Sequence, residues 1–198
     1  MTPAPSAALR RFALDELARE PWKNGGGWTR TVASHEVDGQ LRWRVSVADI
    51  EAAGPFSCFD GLDRSAVMLR GGRLRLQGEG QSWTFDGPGS LVRFAGEFAL
   101  YCEAPDRPTL LWNVMVRRGQ AQARLVPLRG VEAELAADGT AAPEALALVL
   151  QGRFDVRAPG LDGFSLGPGD GLQRQGALPA LHLRPAAPSS LLLITELR

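Results

Sequence analysis

The chain is short of the side chains on which most enzyme chemistry rests. It has two histidines, His35 and His182, two cysteines, Cys58 and Cys102, one tyrosine and one lysine. Metal centres need several imidazole, thiolate or carboxylate ligands at recurring spacings. Neither histidine has a second within ligand spacing, so a metal-dependent oxygenase or isomerase is excluded and no cofactor is expected. Both read as exposed or satisfied loop side chains. The cysteines form no ligand pair, and without an export signal they are expected as reduced thiols that pack as small apolar groups. No serine or cysteine sits in a nucleophile elbow, and no histidine pairs with a nucleophile. An excess of charge is lacking too: 22 basic and 22 acidic residues cancel. No long-range field then favours nucleic acid or an anionic membrane. No window approaches the run of about 18 apolar residues that crosses a bilayer. Residues 1–8 carry no apolar stretch and read as a disordered lead-in, which makes a cytoplasmic protein the expectation.

What is present stands out against this background. Of the basic side chains, 21 are arginine, and Lys23 is the one lysine. An ammonium is a compact, flexible donor whose pKa shifts readily, properties that a guanidinium does not share. Lys23 is followed by Asn24 and by Gly25-Gly26-Gly27, which let the backbone turn sharply and approach a ligand closely. This is not a phosphate loop, because the following Lys-Ser/Thr and the βα context are missing. The segment is expected to form part of a binding site.

The chain also repeats itself at an offset of 80. Gly72 and Arg73 recur as Gly152 and Arg153, and Gly80 as Gly160. Gly87-Pro88-Gly89 recurs as Gly167-Pro168-Gly169, and Gly96 as Gly176. The repeated unit is an apolar strand, a turn at glycine, a short alternating strand and a turn at Gly-Pro-Gly. Elsewhere, Leu41, Trp43, Val45 and Val47 alternate with Arg42, Arg44, Ser46 and Ala48, and Trp112, Val114 and Val116 with Leu111, Asn113, Met115 and Arg117. With 23 glycines and 14 prolines, the pattern predicts an antiparallel all-β sandwich or barrel. One short helix is expected around Leu14 to Glu20, with Pro21 just beyond. Residues 128–143 read as loop or weakly specified structure. The boundary between halves is placed near Gly119, giving an N-terminal half over 9–118 and a C-terminal half over 119–198. The turn pattern ending in Gly167-Pro168-Gly169-Asp170 resembles cupins. Two copies resemble a bicupin, a pair of jelly-roll barrels in one chain.

The remaining chemistry is anion recognition. Arg64 follows Asp63, which either orients the guanidinium or neutralises it. Arg44 and Ser46 share a strand face, as do Asn113, Met115 and Arg117. Arginine suits bidentate carboxylate capture, and asparagine offers both a donor and an acceptor. A mostly apolar pocket with a few such groups fits a small acidic metabolite. The tryptophans, among them Trp22, Trp28, Trp43 and Trp112, are read first as core, with ligand stacking left open.

At these residues the chain resembles the HutD/Ves family, found beside bacterial histidine-utilisation genes. The resemblance rests on Trp22-Lys23-Asn24-Gly25-Gly26-Gly27-Trp28-Thr29-Arg30, on Trp43-Arg44-Val45-Ser46-Val47-Ala48 and on the run from Gly54-Pro55-Phe56-Ser57 to Asp63-Arg64. It continues through Phe94-Ala95-Gly96-Glu97 and Asn113-Val114-Met115-Val116-Arg117-Arg118-Gly119, so it covers most of the first 120 residues. It implies a bicupin without the usual metal ligands and a role around histidine breakdown, with formylglutamate as the proposed ligand. Carried onto matching positions, the implied site is Lys23, Asn24, Arg44, Ser46, Ser57, Asp63, Arg64, Asn113, Met115 and Arg117. The chain departs from the family pattern at Thr31 and at Leu111, where acidic residues usually stand. The leading expectation is a non-catalytic binder of a small acidic metabolite with a regulatory role, with a homodimer left open. The alternatives are a metal-independent isomerase or hydrolase using Lys23 as base, and an interaction module without a ligand.

Overall fold

The computed structural model describes residues 8–22, 26–136, 144–176 and 178–198. Among these residues every regular element is a β-strand. In chain order they are β1 (Ala8–Ala13), β2 (Glu20–Pro21), β3 (Gly27–Val37), β4 (Gln40–Ile50), β5 (Gly54–Pro55), β6 (Leu62–Arg70), β7 (Arg73–Gly78), β8 (Gln81–Asp86), β9 (Leu91–Ala95), β10 (Tyr101–Cys102) and β11 (Thr109–Arg117). Then come β12 (Ala123–Arg129), β13 (Ala133–Leu135), β14 (Glu144–Gln151), β15 (Phe154–Ala158), β16 (Leu161–Leu166), β17 (Asp170–Gln175), β18 (Leu181–Pro185) and β19 (Leu191–Leu197).

The chain divides into two compact units. Leu17–Gln122 form one, and Ala123–Arg198 with the N-terminal segment ending at Glu16 form the other. β1, although it lies at the N-terminal side of the first unit in sequence, pairs in the second unit. The reason is local. β1 runs antiparallel to β17, from Ala8 opposite Gln175 to Ala13 opposite Asp170. Gly171 leaves the space beside it for the Phe12 ring, and Arg10 Nε donates to Gln173 Oε1 at 2.7 Å. Of the expected disordered lead-in, only Ala8 lies within the described residues, and it is the first residue of β1.

In the first unit a six-stranded sheet of order β2-β3-β4-β11-β6-β9 accompanies a four-stranded sheet of order β5-β10-β7-β8. Apolar side chains from both sheets, including Ile50, Met68, Leu74, Leu76 and Phe85, form one buried cluster. Each fully buried side chain of this kind contributes about 1.5–3 kcal/mol through the area it removes from water. The second unit has a five-stranded sheet of order β1-β17-β14-β19-β12 and a four-stranded sheet of order β13-β18-β15-β16. Its cluster includes Ala147, Val149, Phe154, Val156, Leu172 and Leu183.

The repeat at 80 residues is visible in the topology. β6, β7, β8 and β9 recur as β14, β15, β16 and β17 in the same order. In each set the middle pair forms a hairpin in the smaller sheet and the outer pair joins the larger one. Gly80 and Gly160 close the two hairpins at φ +69° and +75°, backbone that side chains with a Cβ rarely adopt. The Gly-Pro-Gly turns are pinned alike: Gly89 N–H donates to Met68 O at 2.8 Å, and Gly169 N–H to Val149 O at 2.9 Å.

Two local expectations are corrected. The segment predicted as a helix over Leu14 to Glu20 is instead a turn at 14–16, irregular backbone to 19 and the first residue of β2 at Glu20. So short a stretch does not offset helix nucleation by itself, and tertiary contacts take it over. Leu14 N–H donates to Gly169 O at 2.9 Å, Glu16 N–H closes the local turn on Ala13 O at 3.2 Å, and Pro21 lies in an edge strand opposite Trp28. Residues 128–136, read as loop, supply the end of β12 and all of β13. Leu135 is buried there, and residues 137–143 lie outside the description.

Candidate functional site

Strand β11 is the middle of the site. It lies between β4 and β6 with both partners antiparallel. Directly opposed residues in a sheet share a face, so the register fixes three rows. Leu111 is opposite Ala48 and Met68, Asn113 is opposite Ser46 and Ala66, and Met115 is opposite Arg44 and Arg64. The opposite face carries Val45, Val47, Trp112 and Val114, all buried. The alternation read from the sequence thus separates an apolar face from a face holding polar groups.

A cavity of about 110 Å³ lies over that second face. Its lining includes Arg44, Ser46, Ala48, Arg64, Ala66, Leu111, Asn113 and Met115 from the three strands, Thr29 from β3, and Trp22, Phe56, Ser57 and Phe59 from flanking segments. The side walls are held in place by hydrogen bonds. Trp22 Nε1 donates to Thr29 Oγ1 at 2.7 Å, and the Trp22 ring meets Phe56 edge-on at 6.1 Å. Phe56 N–H donates to Leu100 O and Phe59 N–H to Gly96 O, both at 2.8 Å.

Arg64 dominates the electrostatics. It is only 6% exposed, and its Cζ lies 5.0, 5.3 and 5.5 Å from the ring centres of Phe94, Phe59 and Phe56. Three phenyl faces favour a cation but supply no hydrogen-bond acceptor. Nη1 donates to Ser57 O at 3.0 Å and Nη2 to Asn113 Oδ1 at 3.5 Å. Nε has no partner, and among the described residues no carboxylate pairs with the guanidinium. Burial pushes its pKa down to about 10, partly offset by the nearby Cys58, so the group stays cationic at neutral pH. Asn113, with Oδ1 on Arg64, retains Nδ2 as a donor. Arg44 Nη2 donates to Thr31 Oγ1 at 2.7 Å.

Six of the ten residues expected from the sequence line this one cavity: Arg44, Ser46, Ser57, Arg64, Asn113 and Met115. Lys23 and Asn24 lie outside the described residues, between Trp22 and Gly27, whose N–H and O are joined at 2.9 Å. Asp63 and Arg117 are elsewhere. Strand alternation points Asp63 away from Arg64, and its exposed carboxylate accepts from Arg118 at 2.8 Å, so it neither orients nor neutralises Arg64. Arg117 lies one step beyond Met115 on the cavity face, but its guanidinium is used on backbone. Nε donates to Leu41 O at 3.3 Å and Nη1 to Asp60 O at 3.1 Å. It braces the loop carrying Phe59. Sequence reasoning missed Thr29, Phe56, Phe59 and the small Ala48 and Ala66. The alternation of β4 was the available signal for Ala48, two residues beyond Ser46. Thr31 and Leu111, the two departures from the family pattern, both come to the site, one against Arg44 and one in the lining.

Among the described residues the lining contains no histidine, cysteine or carboxylate. The metal centre of many cupins therefore has no ligands here. Among the described residues no group of three or more such side chains comes together elsewhere. The geometry fits capture of an anion by buried guanidinium and amide donors.

An all-β, cupin-type fold with an arginine-based cavity defines the class, and similarity to known proteins narrows it. The HutD family model matches residues 14–192, and the chain belongs to the HutD family. It is 33% identical over 119 residues to an "Uncharacterized 21.2 kDa protein in hutC 3'region" of Pseudomonas putida, a match covering 59% of this chain and 63% of that protein. It is 31% identical over 115 residues to protein Ves of Cronobacter sakazakii, covering 58% and 64%. These matches span less than two thirds of each relative's length. The solved HutD from Pseudomonas fluorescens SBW25, determined in a formate condition, superposes with a TM-score of 0.77 at 26% identity, covering 96% of this chain and 98% of that one. A cupin 2 conserved barrel domain protein from Leptotrichia buccalis, 12% identical with a TM-score of 0.63 over 96% of both chains, shares the fold. No helix among the described residues is long and apolar enough to cross a membrane.

Proposed function

We propose that this protein binds a small acidic metabolite without turning it over, and that the ligand is formylglutamate or a related intermediate of histidine breakdown, bound in a regulatory role. One observation carries the reading: Arg64 is a buried cation at the cavity, with an unpartnered Nε and, among the described residues, no carboxylate to balance it. Burying such a charge costs several kcal/mol unless a partner is supplied. A ligand carboxylate supplies one, in a site where screening by water is weak. The Asn113 amide and the Ser46 hydroxyl beside it suit a formyl or amide group. Membership of the HutD family supports the link to histidine utilisation. The two sets of β-hairpins with matching Gly-Pro-Gly turns support reading the chain as two cupin units.

The test is calorimetric titration of the protein with formylglutamate, alongside urocanate and histidine. Saturable one-to-one binding of formylglutamate that weakens at least tenfold in Arg64→Met supports the reading. Equal affinity in that variant removes Arg64 from the site and the reading with it.

A further inference from the structure

The second unit holds a buried cation of its own. Arg174, in β17, is only 1% exposed, and its Nε has no partner. Nη2 donates to Leu178 O at 2.9 Å, and among the described residues no carboxylate pairs with the guanidinium. Arg174 is not part of the cavity lining at Arg64. We propose that a small inorganic monoanion, of the size of chloride, is bound at Arg174 as an integral part of the second unit.

Strand alternation explains why the charge is stranded. Arg174 shares a face with Leu172, two residues before it in β17, and that face carries the apolar cluster with Ala145, Ala147 and Ile194. Its neighbours in register are Leu9 and Ala145, whose side chains accept no hydrogen bond. The carboxylates of the adjoining strands are committed elsewhere. Glu144 belongs to the opposite face, where its Oε1 accepts from Gln173 Nε2 and Gln175 Nε2. Glu196 is opposite Ala145 on the far side of β14, so its Cα is two strand spacings from that of Arg174, roughly 9.5 Å. Its carboxylate pairs with Arg124 at 3.2 Å. A buried cation without a counter-charge is strongly unfavourable, and buried donors in folded proteins are nearly always satisfied by protein, water or an ion. Water would satisfy the Nε–H but leave the charge unbalanced; an anion does both. Burial also sets the size of the ligand. A guanidinium this enclosed, with only the Ala145 methyl beside it on β14, admits an ion of one or a few atoms and not a metabolite.

The test is scanning calorimetry at neutral pH and constant ionic strength, with sodium chloride replacing sodium gluconate, whose anion is too large for the site. It is run on Arg64→Met, so that an anion at the other arginine does not contribute. An anion that binds only the folded protein stabilises it by mass action. Chloride at roughly 100 times its dissociation constant should raise the melting point by several degrees. The shift should disappear when Arg174→Met is added to Arg64→Met. Crystals of the wild type grown in sodium bromide give a second readout that needs no variant, an anomalous peak within hydrogen-bond distance of the Arg174 guanidinium. If the double variant does not fold by circular dichroism, the bromide map decides. No chloride shift, a shift that survives in the folded double variant, or a bromide map empty at Arg174 overturns the proposal.

Discussion

Arg64 Nη2 lies 3.5 Å from Asn113 Oδ1, across the neighbouring strands β6 and β11 of the six-stranded sheet. Both side chains are only 6% exposed. An amide where a carboxylate could stand leaves the guanidinium bonded but not neutralised. That difference is the basis of the proposed binding site, and it yields predictions about function and stability together.

Arg64→Met tests the trade between them. Methionine follows much of the arginine's path and packs well against aromatic rings. The variant should lose carboxylate binding yet unfold at the same or a higher temperature. Replacing a buried charge by a packed apolar group is often neutral or stabilising by 1–4 kcal/mol. A gain of about 1 kcal/mol raises the melting point of a chain this size by roughly 2–4 °C. A loss of several degrees would mean that Arg64 holds the fold together.

Asn113→Asp keeps the shape and adds a charge. The new carboxylate would sit beside Arg64 and form an ion pair that Arg64 lacks among the described residues. Ligand affinity should fall at least tenfold, since the internal anion competes with the external one. Thermal unfolding with and without ligand checks this: the ligand-induced shift should disappear while the unliganded melting point holds or rises.

Affinity should also follow the charge of Arg64. Its pKa is pushed down to about 10 by burial, and the cationic form is the one that binds. Affinity for a carboxylate is therefore expected to be level between about pH 6 and 9 and to fall as pH rises through 10. On the acid side it should fall as the ligand carboxylates protonate, near pH 4. Titrations across this range decide the point. A midpoint near pH 6.5 would implicate a histidine instead.

Much of this was legible in the sequence because strand alternation is a period-two signal that burial enforces. Val45 and Val47 announced the apolar face of β4, and so placed Arg44 and Ser46 on the other. The offset of 80 residues was readable because the turns need glycine for backbone reasons, as at Gly80 and Gly160. The failures have physical causes as well. Asp63 was grouped with Arg64 through adjacency in sequence, but neighbours in a strand point to opposite faces. Arg117 shares the correct face, yet it spends its donors on the carbonyls of Leu41 and Asp60, which no local pattern encodes. The pairing of β1 with β17 depends on Phe12 filling the space at Gly171, a contact between residues far apart in the chain. Gly27 was read as a close approach to a ligand. Its lack of a side chain instead lets β3 lie against the Asp49 carbonyl of β4, where a Cβ would collide.

The two cysteines should differ sharply in reactivity. Cys58 is exposed and Cys102 is buried. Burial, with the neighbouring Glu103, pushes the Cys102 thiol up to about 12, and the thiolate is the reactive form. An Ellman titration of the native protein should show one accessible thiol, with the second appearing on unfolding. Two fast thiols would contradict the packing of β10.

The most direct test of the account is the calorimetric titration of formylglutamate into the wild type and into Arg64→Met, with circular dichroism confirming that both are folded. The account predicts one saturable site in the wild type and at least a tenfold loss in the variant. Unchanged binding in folded Arg64→Met, or no binding in either protein, would contradict it.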